Sequence, residues 1–150
     1  MALLHEFIKE AEYLHCKISG TYDNVWESVS LFRELILQSR CSGLSKILYD
    51  SRDMINYPGA TERVIYMSEI IDQHDVYLGF GGTPLYIAFL GNEDLIYSYS
   101  PGLDVAASRG FAAINTSNLQ EAMTWFQDWP AESGSNGGKD TDSLKIRLAN

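Results

Sequence analysis

A cluster of polar side chains follows a short apolar run near the middle of the chain. The run covers residues 47–49, and the polar residues after it are Asp50, Ser51, Arg52 and Asp53. Two carboxylates, a hydroxyl and a guanidinium can bind a charged or hydrogen-bonding group on another molecule. In α/β sheets, ligands and partners meet the protein at the carboxyl ends of the strands. The sequence therefore predicts an interaction loop, formed by these four residues, at the end of a central strand.

Other residues with reactive side chains lack the spacing of a catalytic or metal site. His5, His15 and His74 are far apart in the chain and have no i, i+4 pairing, and the two cysteines form no Cys-x-x-Cys pattern. The glycines within residues 79–82 precede an apolar run rather than a helix, and no Lys-Ser/Thr pair follows them. This favours a flexible loop over a phosphate-binding loop. We therefore predict no metal, no cofactor and no enzymatic activity.

A group of aromatic and apolar residues lies in the segments that flank the predicted central strands. We expect most of them in the core, where aromatic residues at helical spacing usually lie. The alternative is a pocket between the second helix and segment 92–103 that accepts an apolar ligand such as a fatty acid. The candidate pocket residues are Tyr57, Met67, Tyr86, Tyr97, Tyr99 and Leu103.

Periodicity in the first third of the chain predicts the elements that position the polar cluster. Residues 13–19 alternate between apolar and polar side chains, which predicts a strand, and residues 4–9 form either its hairpin partner or a short helix. Apolar residues spaced by three and four predict a helix over 23–40. A buried strand over 46–50 and a polar loop over 51–59 follow.

The rest of the chain continues to alternate between helices and strands. The predicted elements are a helix at 60–73, a strand at 85–90, a helix at 101–109, a strand at 111–115 and a final helix that ends at Trp129-Pro130. Ser117 and Gln120 form a capping box at the start of the final helix. Strands joined by crossover helices favour parallel pairing, so the predicted fold class is α/β.

Composition and charge are those of a single globular domain. The chain has 150 residues and a formal net charge of −9, which disfavours nucleic acid and anionic membrane surfaces as partners. No apolar run approaches the roughly 18 residues of a membrane span, and the first residues do not resemble a signal peptide. We therefore expect a cytoplasmic protein.

The end of the chain differs in composition from the part before it. Residues 131–142 are rich in glycine and polar residues, so we assign the folded domain to 1–130 and predict disorder for 131–150. Within that tail, apolar and basic residues alternate over 144–148. Such an alternation can add an edge strand to a neighbouring molecule, which is one route to a homodimer.

Four short motifs together carry a resemblance to a known family. The closing unit has Ala-Ala-Ser-Arg-Gly at 106–110, then a strand, then Asn-Leu-Gln-Glu-Ala-Met-Thr-Trp-Phe at 118–126. Ile-Leu-Tyr-Asp occupies 47–50, and Ile-Ser-Gly-Thr occupies 18–21. These motifs resemble those of SpoIIAA-like proteins, which have the STAS fold named after sulfate transporters and anti-sigma-factor antagonists. The resemblance covers about residues 5–129.

The resemblance implies a mixed sheet of four or five strands, an initial β-hairpin and helices packed mainly on one face. It also implies a regulatory or ligand-binding module rather than an enzyme. In anti-sigma-factor antagonists, an aspartate–serine pair near the end of the central strand carries a serine that a partner kinase phosphorylates. Asp50-Ser51 resembles this pair, although Arg52 and Asp53 replace the small residue and the glycine of the family pattern.

These observations favour a regulatory protein-interaction module in which Ser51 is a candidate switch. A phosphate on Ser51 would add nearly two negative charges beside Asp50 and Asp53 and would repel an acidic partner. The alternative is a turn serine that bonds the backbone. In an exposed loop, Ser51→Asp is expected to leave the thermal melt nearly unchanged. The alternative function, from a different class, is a binder or sensor of an apolar small molecule.

Overall fold

Five strands and four helices are formed by the residues that the computed structural model describes, 3–93 and 100–130. The strands are β1 (Leu3–Lys9), β2 (Leu14–Thr21), β3 (Lys46–Ile55), β4 (Tyr86–Leu90) and β5 (Ala113–Thr116). The helices are α1 (Val25–Ser42), α2 (Ala60–Gly79), α3 (Ser100–Ser108) and α4 (Leu119–Phe126). The tail for which the sequence predicts disorder, 131–150, lies outside the described residues.

The strands form one mixed sheet in the order β1-β2-β3-β4-β5. β1 and β2 pair antiparallel, whereas β2, β3, β4 and β5 are parallel neighbours. Residues 4–9 are therefore the hairpin partner of β2 and not a helix. Helix α1 connects β2 to β3 and helix α2 connects β3 to β4, as a parallel pair requires. The α/β class and the five-stranded sheet are confirmed.

The apolar residues of the central strands alternate between two cores. The larger core lies under α1, α2 and α3, and the residues of β3 and β4 that face it are Ile47, Tyr49, Met54, Ile87 and Phe89. On the opposite face, Leu48, Ala88 and Leu90 pack against α4. Continuous apolar runs are typical of strands covered by helices on both faces. Of the described helices, three lie on one face and one on the other.

The helix ends differ in detail from the predicted ones. Helix α2 continues to Gly79, six residues beyond the predicted end, because no glycine or proline interrupts it before that residue. Helix α4 is capped by Asn118, whose side chain accepts the Glu121 N–H at 3.1 Å, and not by Ser117. Within the described residues, no helix is long and apolar enough to cross a membrane.

Candidate functional site

The predicted interaction loop is part of a strand. β3 continues through Asp50–Asp53 to Ile55, where the Ile55 carbonyl accepts the Tyr22 N–H at 2.8 Å. Lys17 is opposite Asp50 while Ser19 is opposite Asp53, so β3 has one more residue than β2 in this interval. This is a β-bulge, which interrupts the alternation of side chains between the two faces. The prediction of a loop beginning at Ser51 was wrong because the bulge hides the strand pattern.

The four polar side chains at the bulge differ in their exposure to solvent. Asp50 and Ser51 are buried, whereas Arg52 and Asp53 are both exposed. A regular strand would direct two successive side chains to opposite faces of the sheet. Two oppositely charged groups, the Arg52 guanidinium and the Asp53 carboxylate, thus reach solvent near the carboxyl end of the central strand.

Asp50 is held by two basic side chains from different parts of the chain. His15 Nε2 lies 2.9 Å from Asp50 Oδ2, and the Arg52 guanidinium donates from Nε to Oδ1 and from Nη2 to Oδ2, each at 2.9 Å. The Arg52 backbone N–H also donates to Oδ1 at 3.2 Å. Burial by itself raises the pKa of the Asp50 carboxyl, but the hydrogen bonds from Arg52 and His15 outweigh it and hold this pKa below its usual value.

Ser51 points to the other face of the sheet, away from this charged cluster. Its side chain is 0% exposed, and Oγ has no hydrogen-bond partner within the described residues. Its hydroxyl therefore neither reaches His15 nor bonds the backbone as a turn serine would. The exposed position and the backbone hydrogen bond of a turn serine, both expected from the sequence, are therefore wrong, whereas phosphorylation of Ser51 stays a prediction.

The cluster lies on the half of the sheet that α4 does not cover. Helix α4 packs over Leu48, Ala88 and Leu90, and the Phe126 ring stacks on Tyr13 with centroids 5.8 Å apart. Strands β1 and β2 continue beyond this contact. We name the region that no described helix covers the open sheet face; its residues are Leu4, Glu6, Ile8, His15, Lys17, Asp50 and Arg52.

The open sheet face combines apolar and charged side chains in a fixed register. Leu4 is 60% exposed, and Ile8 lies opposite His15 across the β1–β2 pair. Glu6 lies opposite Lys17, and Lys17 is in turn opposite Asp50. Such a surface can bind another macromolecule through contact with its apolar residues while its charges fix the orientation. Sequence reasoning missed the β1 residues because the periodicity of 4–9 fits either a strand or a helix.

The structure separates Tyr86 from Met67 and Leu103, two other residues of the predicted apolar pocket. Met67 is buried in α2, and α3 packs closely on it: a Cβ at Gly102 would lie 3.7 Å from the Met67 side chain. Leu103 on α3 is half-buried. Tyr86 lies on the opposite face of the sheet, where its ring stacks on Trp129 with centroids 4.7 Å apart. The inclusion of Tyr86 was therefore wrong.

The remaining predicted pocket residues are Tyr57, Tyr97 and Tyr99. Tyr57 is in the connection between β3 and α2 and is partly exposed, and Tyr97 and Tyr99 lie outside the described residues. A different apolar cavity, with a volume of about 20 Å³, is present near the carboxyl ends of β2 and β3. We call it the carboxyl-edge cavity. Its lining residues are Tyr22, Val25, Ser28, Tyr49, Met54, Pro58 and Tyr66. A volume of this size is that of about one water molecule.

One hydrogen bond joins two segments beside this cavity. The Tyr22 hydroxyl donates to Glu62 Oε2 at 2.6 Å, and Glu62 Oε1 accepts the Gly59 N–H at 3.2 Å. The start of α2 is thereby linked to the connection between β2 and α1. Sequence reasoning did not identify this pair, because 40 residues separate its members and no local pattern relates them.

No model of a known protein family matches the chain, and no curated protein matches it significantly. Within residues 3–93 and 100–130, no three His, Cys, Asp or Glu side chains are grouped as a metal site would require. The function is therefore inferred from the geometry of the open sheet face.

Proposed function

We propose that this protein is a non-enzymatic regulatory module of the STAS-like type, which acts in the bacterial cytoplasm and binds a protein partner through the open sheet face. One observation carries the proposal: the His15–Asp50–Arg52 cluster is fixed by hydrogen bonds on a sheet surface that no described helix covers. Because Arg52 is already oriented by Asp50, a partner would not have to order it on binding.

The composition of the surface suits a protein partner. Leu4 and Ile8 offer apolar contact area, whereas Glu6, Lys17 and Arg52 place charges of both signs around it. Protein interfaces commonly join an apolar centre to a polar rim, and their charges contribute more to specificity than to affinity. The antiparallel first hairpin, the mixed five-stranded sheet and the placement of three of the four described helices on one face agree with what the resemblance to SpoIIAA-like proteins implies. This agreement supports the STAS-like part of the proposal.

A comparison of variants in a pull-down tests the proposal. Leu4→Asp places a charge among the apolar residues of the open sheet face, and Arg52→Ala removes the oriented cation. We expect both variants to lose a partner that the wild-type protein recovers from bacterial lysate. Arg33→Ala, an exposed arginine on α1, is the matched control and should recover the partner like the wild type. Unchanged recovery by Leu4→Asp and Arg52→Ala would contradict this binding surface.

The alternative class, a binder of an apolar small molecule such as a fatty acid, has one supporting observation. The cavity at the carboxyl edge is lined mostly by apolar and aromatic side chains. Its volume of about 20 Å³ means that side chains such as Tyr22 or Tyr66 must move before an acyl chain can enter. Native mass spectrometry followed by organic extraction separates the two classes, since a co-purified acyl chain would favour the binder.

A further inference from the structure

A second pocket lies at the other end of the strands, next to the amino ends of β3 and β4. Its volume is about 260 Å³, which is more than ten times that of the carboxyl-edge cavity. It is formed where α1 and α2 end and where the chain enters the two strands. The lining residues that matter here are Arg40, Leu44, Ser45, Tyr77, Phe80 and Gly82. We call this the amino-edge pocket.

The wall and floor of the amino-edge pocket are fixed by packing. A Cβ added to Gly82 would lie 2.5 Å from atoms of the Tyr77 ring, so this ring rests directly on the Gly82 backbone. Gly81 has a φ of +87°, a conformation that glycine adopts readily and other residues rarely do. Leu44 and Ser45, on the opposite side, are buried. The pocket is therefore largely formed before any ligand binds.

Phe80 stands at this pocket with almost its whole side chain in water. It is 89% exposed, more than any other large hydrophobic residue that the structure describes. It terminates α2, and its backbone N–H bonds the Val76 and Tyr77 carbonyls, so its position follows from the helix end. A single exposed apolar residue is common, but one that lines a pocket provides a surface on which a flat ring can stack.

The charge of the pocket comes from Arg40. The helix-end carbonyls around it are already bonded: the Ser39 carbonyl accepts the Gly43 N–H at 2.9 Å, and the Tyr77 carbonyl accepts the Gly82 N–H at 2.9 Å. Arg40 is exposed and, within residues 3–93 and 100–130, forms no ion pair. A guanidinium without a carboxylate partner can form a bidentate ion pair with an anionic group.

We propose that the amino-edge pocket binds a small aromatic anion. The ring of the ligand packs between Phe80 and Tyr77, and its carboxylate or an equivalent anionic group pairs with Arg40. This site is separate from the open sheet face, which lies toward the carboxyl ends of the strands. The proposal therefore stands independently of the proposed protein partner.

A titration of the full-length protein with benzoate, followed by amide chemical shifts in NMR spectra, tests the proposal. We expect benzoate to shift the amides of Ser45, Gly81 and Gly82 with a dissociation constant on the order of 10 mM, as is usual for so small a ligand. Benzylamine has a similar ring but the opposite charge, and it should leave these amides unchanged.

Two variants with matched controls test separately how Arg40 and Phe80 contribute to benzoate binding. Arg40→Gln should weaken benzoate binding about tenfold, and Phe80→Ala should weaken it several-fold. Arg33→Gln on α1 and Val76→Ala on α2 change exposed residues that do not line the pocket, and they should bind benzoate like the wild type. The proposal is overturned if benzoate does not shift these amides, if benzylamine shifts them equally, or if Arg40→Gln binds benzoate as well as the wild type does.

Discussion

Two buried polar side chains, Ser51 and His74, have very different surroundings. Ser51 Oγ has no hydrogen-bond partner within the described residues, whereas His74 Nε2 accepts the Leu85 N–H at 3.1 Å. The His74 ring also forms a T-shaped contact with the Phe111 ring, and the two ring centroids are 5.0 Å apart. His74 directly follows the helix predicted over 60–73, but α2 continues to Gly79, so His74 lies within the helix and not at its end. These two residues give predictions at the scale of single side chains.

The effect of a Ser51 substitution on stability should depend on whether the new side chain is charged. Ser51→Asp buries a carboxylate with no described partner and should lower the free energy of unfolding by about 3 kcal/mol or more. Ser51→Ala removes a hydroxyl that has no hydrogen-bond partner in the described part of the chain, and it should change the free energy of unfolding by less than about 1 kcal/mol. Thermal and urea unfolding measure both. Ser30→Asp, the same change at an exposed serine, is the control; equal melting temperatures for Ser51→Asp and Ser30→Asp would mean that Ser51 is accessible.

The protonation of His74 should make the protein less stable in mild acid. Burial, the main cause, lowers the pKa of His74 from 6.5 to about 4, and the charge of Asp75 opposes this only in part. Between these two values the unfolded chain binds a proton that the folded chain does not. Stability due to neutral His74 is therefore complete above about pH 6.5 and falls as the pH drops toward 4, by up to about 3 kcal/mol.

The variant His74→Gln tests this dependence, because glutamine cannot take up the proton. Urea unfolding between pH 7 and pH 4 should show a smaller loss of stability for His74→Gln than for the wild type. The exposed His5 provides the comparison, and His5→Gln should follow the wild-type curve. Parallel curves for wild type and His74→Gln would exclude His74 as the source of the pH dependence.

At the scale of elements, two asparagines begin helices in the same way. Asn24 accepts the N–H groups of Trp26 and Glu27 at 3.0 and 3.1 Å at the start of α1, and Asn118 accepts the Glu121 N–H at the start of α4. Both residues have extended backbone angles, as an N-cap requires. For α4 this matters because the helix has only eight residues and, among the helices that the structure describes, is the one that covers the second core.

The capping residue of α4 can be identified by substitution. Asn118→Ala removes the acceptor of the Glu121 N–H and should cost about 1 kcal/mol, which corresponds to roughly 2–4 °C in melting temperature. Ser117→Ala should have little effect, although the sequence alone favours Ser117 as the cap. Thermal melts followed by circular dichroism measure both. A larger fall for Ser117→Ala than for Asn118→Ala would restore the capping box predicted from the sequence.

At the scale of the whole molecule, the helices of residues 3–93 and 100–130 leave two different surfaces of the described structure uncovered. Three helices cover one face of the sheet, whereas α4 covers only the β3–β5 half of the other face and leaves the open sheet face. The amino-edge pocket lies at the ends of α1 and α2, toward the opposite edge. This separation would allow a protein partner and a small ligand to bind at the same time.

The core assembled by residues 3–130 should be sufficient for folding. Both faces of β3 and β4 are buried by α1–α4, so a chain that ends at Pro130 should keep its melting temperature within about 2 °C of the full-length value. Differential scanning calorimetry of the two chains provides the comparison. A fall of many degrees would show that residues 131–150 pack on the domain. The homodimer suggested by the alternation at 144–148 stays a prediction that size-exclusion chromatography of the same pair can test.

The sequence by itself determined the class of the fold and the positions of most elements. Helix and strand periodicities are local, so the stripe along α1 and the apolar runs of β3 and β4 could be identified within a few residues. The buried location of Cys16 and the end of α3 near Arg109-Gly110 follow from the same local signals. Local signals were insufficient where two patterns overlap, as in β1, or where a bulge breaks the alternation, as in β3.

Only the tertiary structure decided the composition of the candidate sites. The pairing of His15 with Asp50 joins residues 35 positions apart, and it depends on the register of β2 against β3. A shift of one residue reverses the face of every side chain in a strand, so a predicted strand alone does not say which residues share a surface. For this reason Tyr86 and Met67, predicted to share a pocket, lie on opposite faces of the sheet. The face to which each strand residue belongs is fixed by helix packing and strand register, which are properties of the folded chain and not of any local segment.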